Sequence, residues 1–222
     1  MHVKTGSRSM KLIAAGICLT VVYLCLLICY NSLSYYSLTV NHPFIVEKAE
    51  IGKQFPWRLV LYIHIASGIV ILLSSFTQFS RKIRSFYPQI HKYSGSVYFF
   101  AILYVLVPTG IFLSFSAKGG IWGSLGFMVQ GVYTFAATWI AYQSLNEKNI
   151  EKHISWIIRS YAMILTAVTF RVLHIAFRYT PMDYITNYNL SIWGSTAINL
   201  ICGEILIYLI QTKIKQKKEN AK

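Results

Sequence analysis

The chain alternates long apolar runs with short polar, lysine- and arginine-rich segments. The apolar runs are about Leu12–Tyr30, Leu59–Phe79, Gly95–Phe115, Trp122–Tyr142, Ile154–Phe177 and Ile192–Gln211. Each is close to 20 residues, the length that crosses about 30 Å of hydrocarbon at about 1.5 Å per residue. The pattern predicts an all-α fold: one polytopic membrane helical bundle over 1–222, with about six transmembrane helices. The first run follows Lys4, Arg8 and Lys11, as a signal peptide would. Its apolar core is too long and no A-x-A site follows, so it reads as a retained span.

Basic residues set the expected orientation. One side collects Lys4, Arg8, Lys11, Arg81, Lys82, Arg84, Lys92, Lys148, Lys152, Arg159, Lys213, Lys215, Lys217, Lys218 and Lys222. The other has Lys48, Lys53, Arg58, Lys118 and Arg178. Fifteen against five predicts both termini cytoplasmic. Tyr30, Trp57, Trp122, Tyr179 and Trp193 then form the outer aromatic belt. The long outer loop, 31–57, reads equally as a connector or as a short interfacial helix over the outer mouth.

Composition fits this picture. The 222 residues are 55% hydrophobic and 13% charged. The net charge of +14 flanks apolar runs and has no soluble domain to carry it. It therefore points to the lipid bilayer and anionic headgroups as partners, and away from nucleic acid. Cys18, Cys25, Cys29 and Cys202 sit inside apolar runs without C-x-x-C or zinc spacing and read as packing residues. No H-E-x-x-H, G-x-S-x-G or Walker pattern occurs, so hydrolase and nucleotidase readings lack their machinery.

Candidate chemistry lies with ionisable residues inside spans, each of which costs about 2.5–3.5 kcal/mol on insertion scales. His64, Arg171, His174 and Glu204 are such residues; His91, His153, Arg159 and Arg178 stand at span edges. His153 and Arg171, 18 residues apart, share a helix face, and Arg171, His174 and Arg178 continue it. Depth sorts the set into an outer layer (His64, Arg171, His174) and an inner layer (His91 and His153, with Arg84 and Arg159). Glu204 needs a partner, and Arg171 is nearest in depth. Gln78 is a supporting polar residue, and Pro108 is expected to kink the third span.

Four histidines in two layers are what two non-covalent bis-histidine b-type haems require, His64 with His174 outside and His91 with His153 inside. A quinone or another small ligand would use the same polar face. A non-redox protein that binds a ligand, handles protons or assists assembly is the alternative class. Structural roles compete with each: the Arg171–Glu204 pair as a register-fixing ion pair, and the histidines as interhelical hydrogen bonders.

The stretches "HIASGIVILLSSFTQFSRKIRSFYPQIHKYSGSVY" and "HISWIIRSYAMILTAVTFR" resemble the bacterial membrane family called domain of unknown function 2306. The resemblance rests on His64, Gly68, Gln78, Phe79, His91, Lys92, Gly95, Tyr98, His153, Trp156, Arg159, Ser160 and Arg171, and covers about Leu61–Arg178. Lys92 and Ile157 stand where the pattern has Arg and Met, and His174 lies outside it. The resemblance implies a multi-pass protein of a bacterial inner membrane and names no reaction. The histidine arrangement is also loosely similar to cytochrome b561-type proteins.

Overall fold

A computed structural model describes residues 4–37 and 42–220. Lys222 and residues 38–41 lie outside the described residues, as do the side chains of Lys4, Arg8, Lys11, Arg81 and Lys217. The described chain is helical and has no strand. Helix α1 (Lys4–Ser32) ends in a 3-10 turn, Leu33–Ser37. Short helices α2 (Pro43–Val46) and α3 (Ala49–Lys53) precede α4 (Phe55–Phe79). Helix α5 (Arg81–Phe86) leads into α6 (Pro88–Ala101), which passes through a π turn, Ile102–Leu106, into α7 (Val107–Ser114). Then come α8 (Gly120–Asn146), α9 (Ile150–Ile164), α10 (Thr166–Phe177) and α11 (Tyr184–Glu219).

Five stretches are long and apolar enough to cross a membrane: Ala15–Tyr36, Phe55–Phe79, Pro88–Ser114, Ile150–Phe177 and Tyr184–Gln216. The expected fourth span, 122–142, falls in α8. That helix has the length, 27 residues, but glycines, threonines and glutamines dilute its apolarity. Residues 115–119 join it to α7 and 147–149 join it to α9, at opposite ends, so it runs antiparallel to both. Its buried positions, Gly123, Gly126, Thr134, Ala137, Thr138, Ala141 and Ser144, are all small. They recur at helical spacing and let α9 and α11 approach closely, as small residues do between membrane helices. A Cβ on Gly126 would stand 2.5 Å from Ile192.

Local chemistry explains the boundaries. Asn149 caps α9 by accepting from the Lys152 N–H (3.0 Å), and Asp183 caps α11 by accepting from the Thr186 N–H (3.0 Å). Pro43, Pro56 and Pro88 occupy first turns, where a missing N–H is harmless. Gly119, with φ +90°, starts α8 in a conformation that suits glycine. The expected disturbance at Pro108 is present as the π turn just before it. The fifth span is not one helix. It breaks at Leu165, where the Thr166 hydroxyl donates to the Met163 carbonyl at 2.6 Å and bends the ladder.

Polar nodes hold the bundle together. Ser160 on α9, fully buried, meets both the Tyr98 hydroxyl on α6 (3.0 Å) and the Thr138 hydroxyl on α8 (2.7 Å). Gln130 on α8 donates to Thr196 (2.7 Å), and Thr169 donates to Asn199 (3.0 Å), both partners on α11. Between the nodes, Cys25 and Cys29 of α1 pack with Ile71, Leu72, Ile164 and Val168, the apolar role expected of those cysteines. Ser160→Ala is expected to lower stability by about 1–2 kcal/mol, because it leaves the buried Tyr98 hydroxyl without its partner, while Thr138 keeps its bond to the Thr134 carbonyl. A thermal melt in detergent measures this, and Ser155→Ala, which removes a local bond to the Glu151 carbonyl and a 3.3 Å bond from Gln211, should lose less.

The described stretch before α4, residues 42–54, forms a strap of two short helices, α2 and α3. Ile45, Trp57 and Leu61 form a small core beneath α2 and α3. The Trp57 indole N–H donates to the Ser116 hydroxyl (3.0 Å), the Lys48 ammonium donates to the Ser116 carbonyl, and Lys118 pairs with Glu47. Burial pushes the Lys48 ammonium from 10.5 down to about 8; Lys118 adds to the push and Glu47 opposes it. The folded value is the lower one, so the charge on Lys48 opposes folding below about pH 8. That opposition fades as pH rises from about 8 toward 10.5. Wild type should therefore gain thermal stability relative to Lys48→Met across that window, read from paired melts at stepped pH.

Candidate functional site

In the outer layer, His64 projects from α4 onto α7. Its Nδ1 lies 3.2 Å from the Leu106 carbonyl and 3.0 Å from the Thr109 hydroxyl. A carbonyl only accepts, so Nδ1 carries the hydrogen and the Nε2 lone pair is left over. Thr109 donates its own hydrogen to the Val105 carbonyl at 2.5 Å, which frees its oxygen to accept from His64. Gly110 makes room for the ring, since a Cβ there would stand 3.1 Å from His64 Cε1.

Arg171 lies on α10, six residues before its end, or about 9 Å from Phe177 along the axis. Lysine and arginine side chains near a membrane surface normally reach outward to headgroups. Arg171 does the opposite. Its Nη1 donates to the Ala167 carbonyl, one turn deeper, at 2.8 Å, so the guanidinium points toward the bilayer centre. No carboxylate partners it among the described residues. His64, Tyr35 and Tyr188 lie within its electrostatic reach. These groups come from α4, the turn after α1, and α11. Arg171 itself keeps exposed surface beside these groups. Tyr35 and Tyr188 escape a sequence search because tyrosines abound at membrane interfaces, and nothing in their spacing marks these two.

The third member of the expected outer layer is used elsewhere. His174 Nδ1 lies 2.9 Å from Asn187 Oδ1, and the Asn187 amide donates to the His174 carbonyl at 3.2 Å. Its ring stacks on Phe170 at 5.5 Å and meets Tyr184 and Tyr188 edge-on. His174 therefore helps fasten α10 to α11, and no contact joins it to His64 among the described residues.

His91 and His153 of the expected inner layer lie near the loops that open α6 and α9. His153 Nδ1 donates to the Ala141 carbonyl of α8 at 2.9 Å, again leaving Nε2 over. His91 lies within electrostatic reach of His153 and Arg84, and its Nδ1 is buried without a hydrogen-bond partner. Gln78 holds this corner: its amide donates to the His91 carbonyl (2.9 Å) and to Ser94 Oγ (2.6 Å). Gly95 accommodates that amide, because a Cβ there would stand 3.1 Å from Gln78 Oε1. The spacing of Gln78, His91 and Gly95 thus has a packing reason.

Glu204 corrects an expectation. Its partner is Arg159, not Arg171: Nε–Oε1 is 2.6 Å and Nη2–Oε2 is 2.9 Å. Arg159 also lies over the Trp156 ring at 4.6 Å. The break at Leu165 and the antiparallel course of α11 set Glu204 beside α9, two turns below Ala167. No group of three or more His, Cys, Asp or Glu that could hold a metal ion occurs among the described residues.

A family model described as "Predicted membrane protein (DUF2306)" matches residues 61–207, a span that contains both layers and the Arg159–Glu204 pair. No curated protein and no solved structure matches the chain, so the likeness to cytochrome b561-type proteins gains no support from these comparisons.

Proposed function

The chain belongs to the DUF2306 family of predicted membrane proteins, and from that premise we propose that it is a ligand-binding membrane protein in which Arg171, His64, Tyr35 and Tyr188 line a recess that takes an amphipathic molecule with an acidic head group. The observation that carries this reading is the inward-pointing Arg171 guanidinium, which has no carboxylate partner among the described residues. An uncompensated cation at that depth favours an anion beside it. His64 Nε2 supplies an acceptor for a hydroxyl on the same head, and the ligand's tail lies in lipid. Both termini face the cytoplasm of a bacterial cell in this reading, with the basic loops and tail against anionic headgroups. A reporter fused after Lys222 that reads periplasmic overturns that orientation.

The test compares laurate with dodecanol, which share a chain and differ in charge. Laurate should raise the melting temperature of the detergent-solubilised protein and dodecanol should not, and Arg171→Gln should erase the difference. Equal responses to the two amphiphiles overturn the proposal.

A redox reading with b-type haem or quinone has one observation in its favour. His64 and His153 both give Nδ1–H to a backbone carbonyl and keep Nε2, the state in which imidazole ligates haem iron. A dithionite-reduced minus oxidised spectrum of protein made under haem-sufficient conditions decides for or against haem. A quinone analogue in the melting assay does the same for quinone.

A further inference from the structure

The Arg159–Glu204 pair is satisfied within the chain and yet incompletely covered. The Arg159 side chain keeps 21% of its surface and Glu204 keeps 51%. Arg159 stands seven residues beyond Lys152 and Glu204 nine before Lys213, about 10–13 Å from the nearest basic residues at that end. Both charges therefore face hydrocarbon below the headgroups, where exposed polar groups are expensive. The two residues sit side by side on adjacent antiparallel helices, α9 and α11, at one depth.

We infer that this face is the interface of a parallel homodimer, with a second copy of the chain as its occupant. Charge complementarity identifies that occupant. A twofold axis along the membrane normal preserves depth, so the pair of one protomer meets the pair of the other. The same rotation exchanges left and right, which sets each guanidinium opposite the partner protomer's carboxylate. The result is a closed ring of four alternating charges, with the exposed side of Glu204 covered by a cation. A lipid offers no such match at this depth, since its charged groups lie at the membrane surface and its tail there is apolar. Ile201 and Tyr208, three before and four after Glu204 on α11, are 60% and 68% exposed and share its face. They are the apolar surround of the ring.

Crosslinking in native membranes tests the inference. In a chain whose exposed Cys18 and Cys202 are replaced by serine, Ile201→Cys and Tyr208→Cys should give a dimer band with a short bifunctional maleimide. Tyr104→Cys, on an exposed position of the π turn, should not. Absence of the band at both α11 positions, or equal yield at Tyr104→Cys, overturns the inference. Subunit counting by photobleaching in vesicles supplies a second readout. The swap Arg159→Glu with Glu204→Arg keeps the ring and should stay dimeric. Arg159→Met with Glu204→Leu removes it and should lower the dimer fraction at least tenfold at equal density. Wild type that bleaches in single steps, or a Met/Leu variant as dimeric as wild type, overturns it. The ligand assay at Arg171 is separate, so either proposal can fail alone.

Discussion

Arg171→Met is expected to leave the ligand-free protein at least as stable as wild type and to abolish its response to an acidic amphiphile. Ordinary replacements of a packed, hydrogen-bonded residue destabilise. Arg171 differs because its one hydrogen-bond partner among the described residues is the Ala167 carbonyl, which already belongs to a helix and loses little. Removing an uncompensated cation from hydrocarbon is worth up to about 2.5–3.5 kcal/mol, and methionine fills the vacated stem volume flexibly. The gain is smaller to the extent that water enters the recess, so a rise of about 1–2 kcal/mol is expected. Paired melts with and without laurate report both quantities. A loss of several kcal/mol in the ligand-free protein, with no laurate response in wild type, would make Arg171 a structural residue. Arg171→Lys should bind weakly, since an ammonium lacks the planar fork that grips a carboxylate or phosphate.

The second large effect belongs to Glu204. Glu204→Leu alone leaves Arg159 unpaired and should cost about 3 kcal/mol. Adding Arg159→Met should recover most of that loss, because no charge then remains to be compensated and both new side chains suit lipid. The coupling between the two changes is the signature of a directly bonded pair. Arg171→Met, in contrast, should combine additively with Glu204→Leu, whereas a direct Arg171–Glu204 bond predicts coupling there. Denaturation of the four variants in one detergent separates the cases.

Much of the inner layer was legible in the sequence. His91, Gln78, Gly95 and His153 lie close to short loops, and turns that tight bring nearby residues together whatever the rest of the bundle does. The outer layer was legible by depth only. His64 and His174 sit at similar heights, yet one turns to α7 and the other to α11, because neighbouring side chains and not height set the direction of a ring. The nodes at Gln130 and Asn199 carry no charge and no spacing signal, and Ser160 stands out only through the family resemblance. A buried amide or hydroxyl among apolar residues has a similar need for a partner.

By itself the sequence determined that this protein is a helical membrane bundle, roughly where each pass runs, and which intramembrane groups require partners. Those properties follow from solvent: about 20 apolar residues must be helical in lipid, and a charge there must be met. Tertiary structure alone decided who meets whom. The break at Leu165 and the pairing of α9 with α11 gave Glu204 to Arg159 and left Arg171 without a carboxylate partner among the described residues. Azimuth around a helix depends on side-chain packing between distant segments, and hydropathy along one chain carries no record of it.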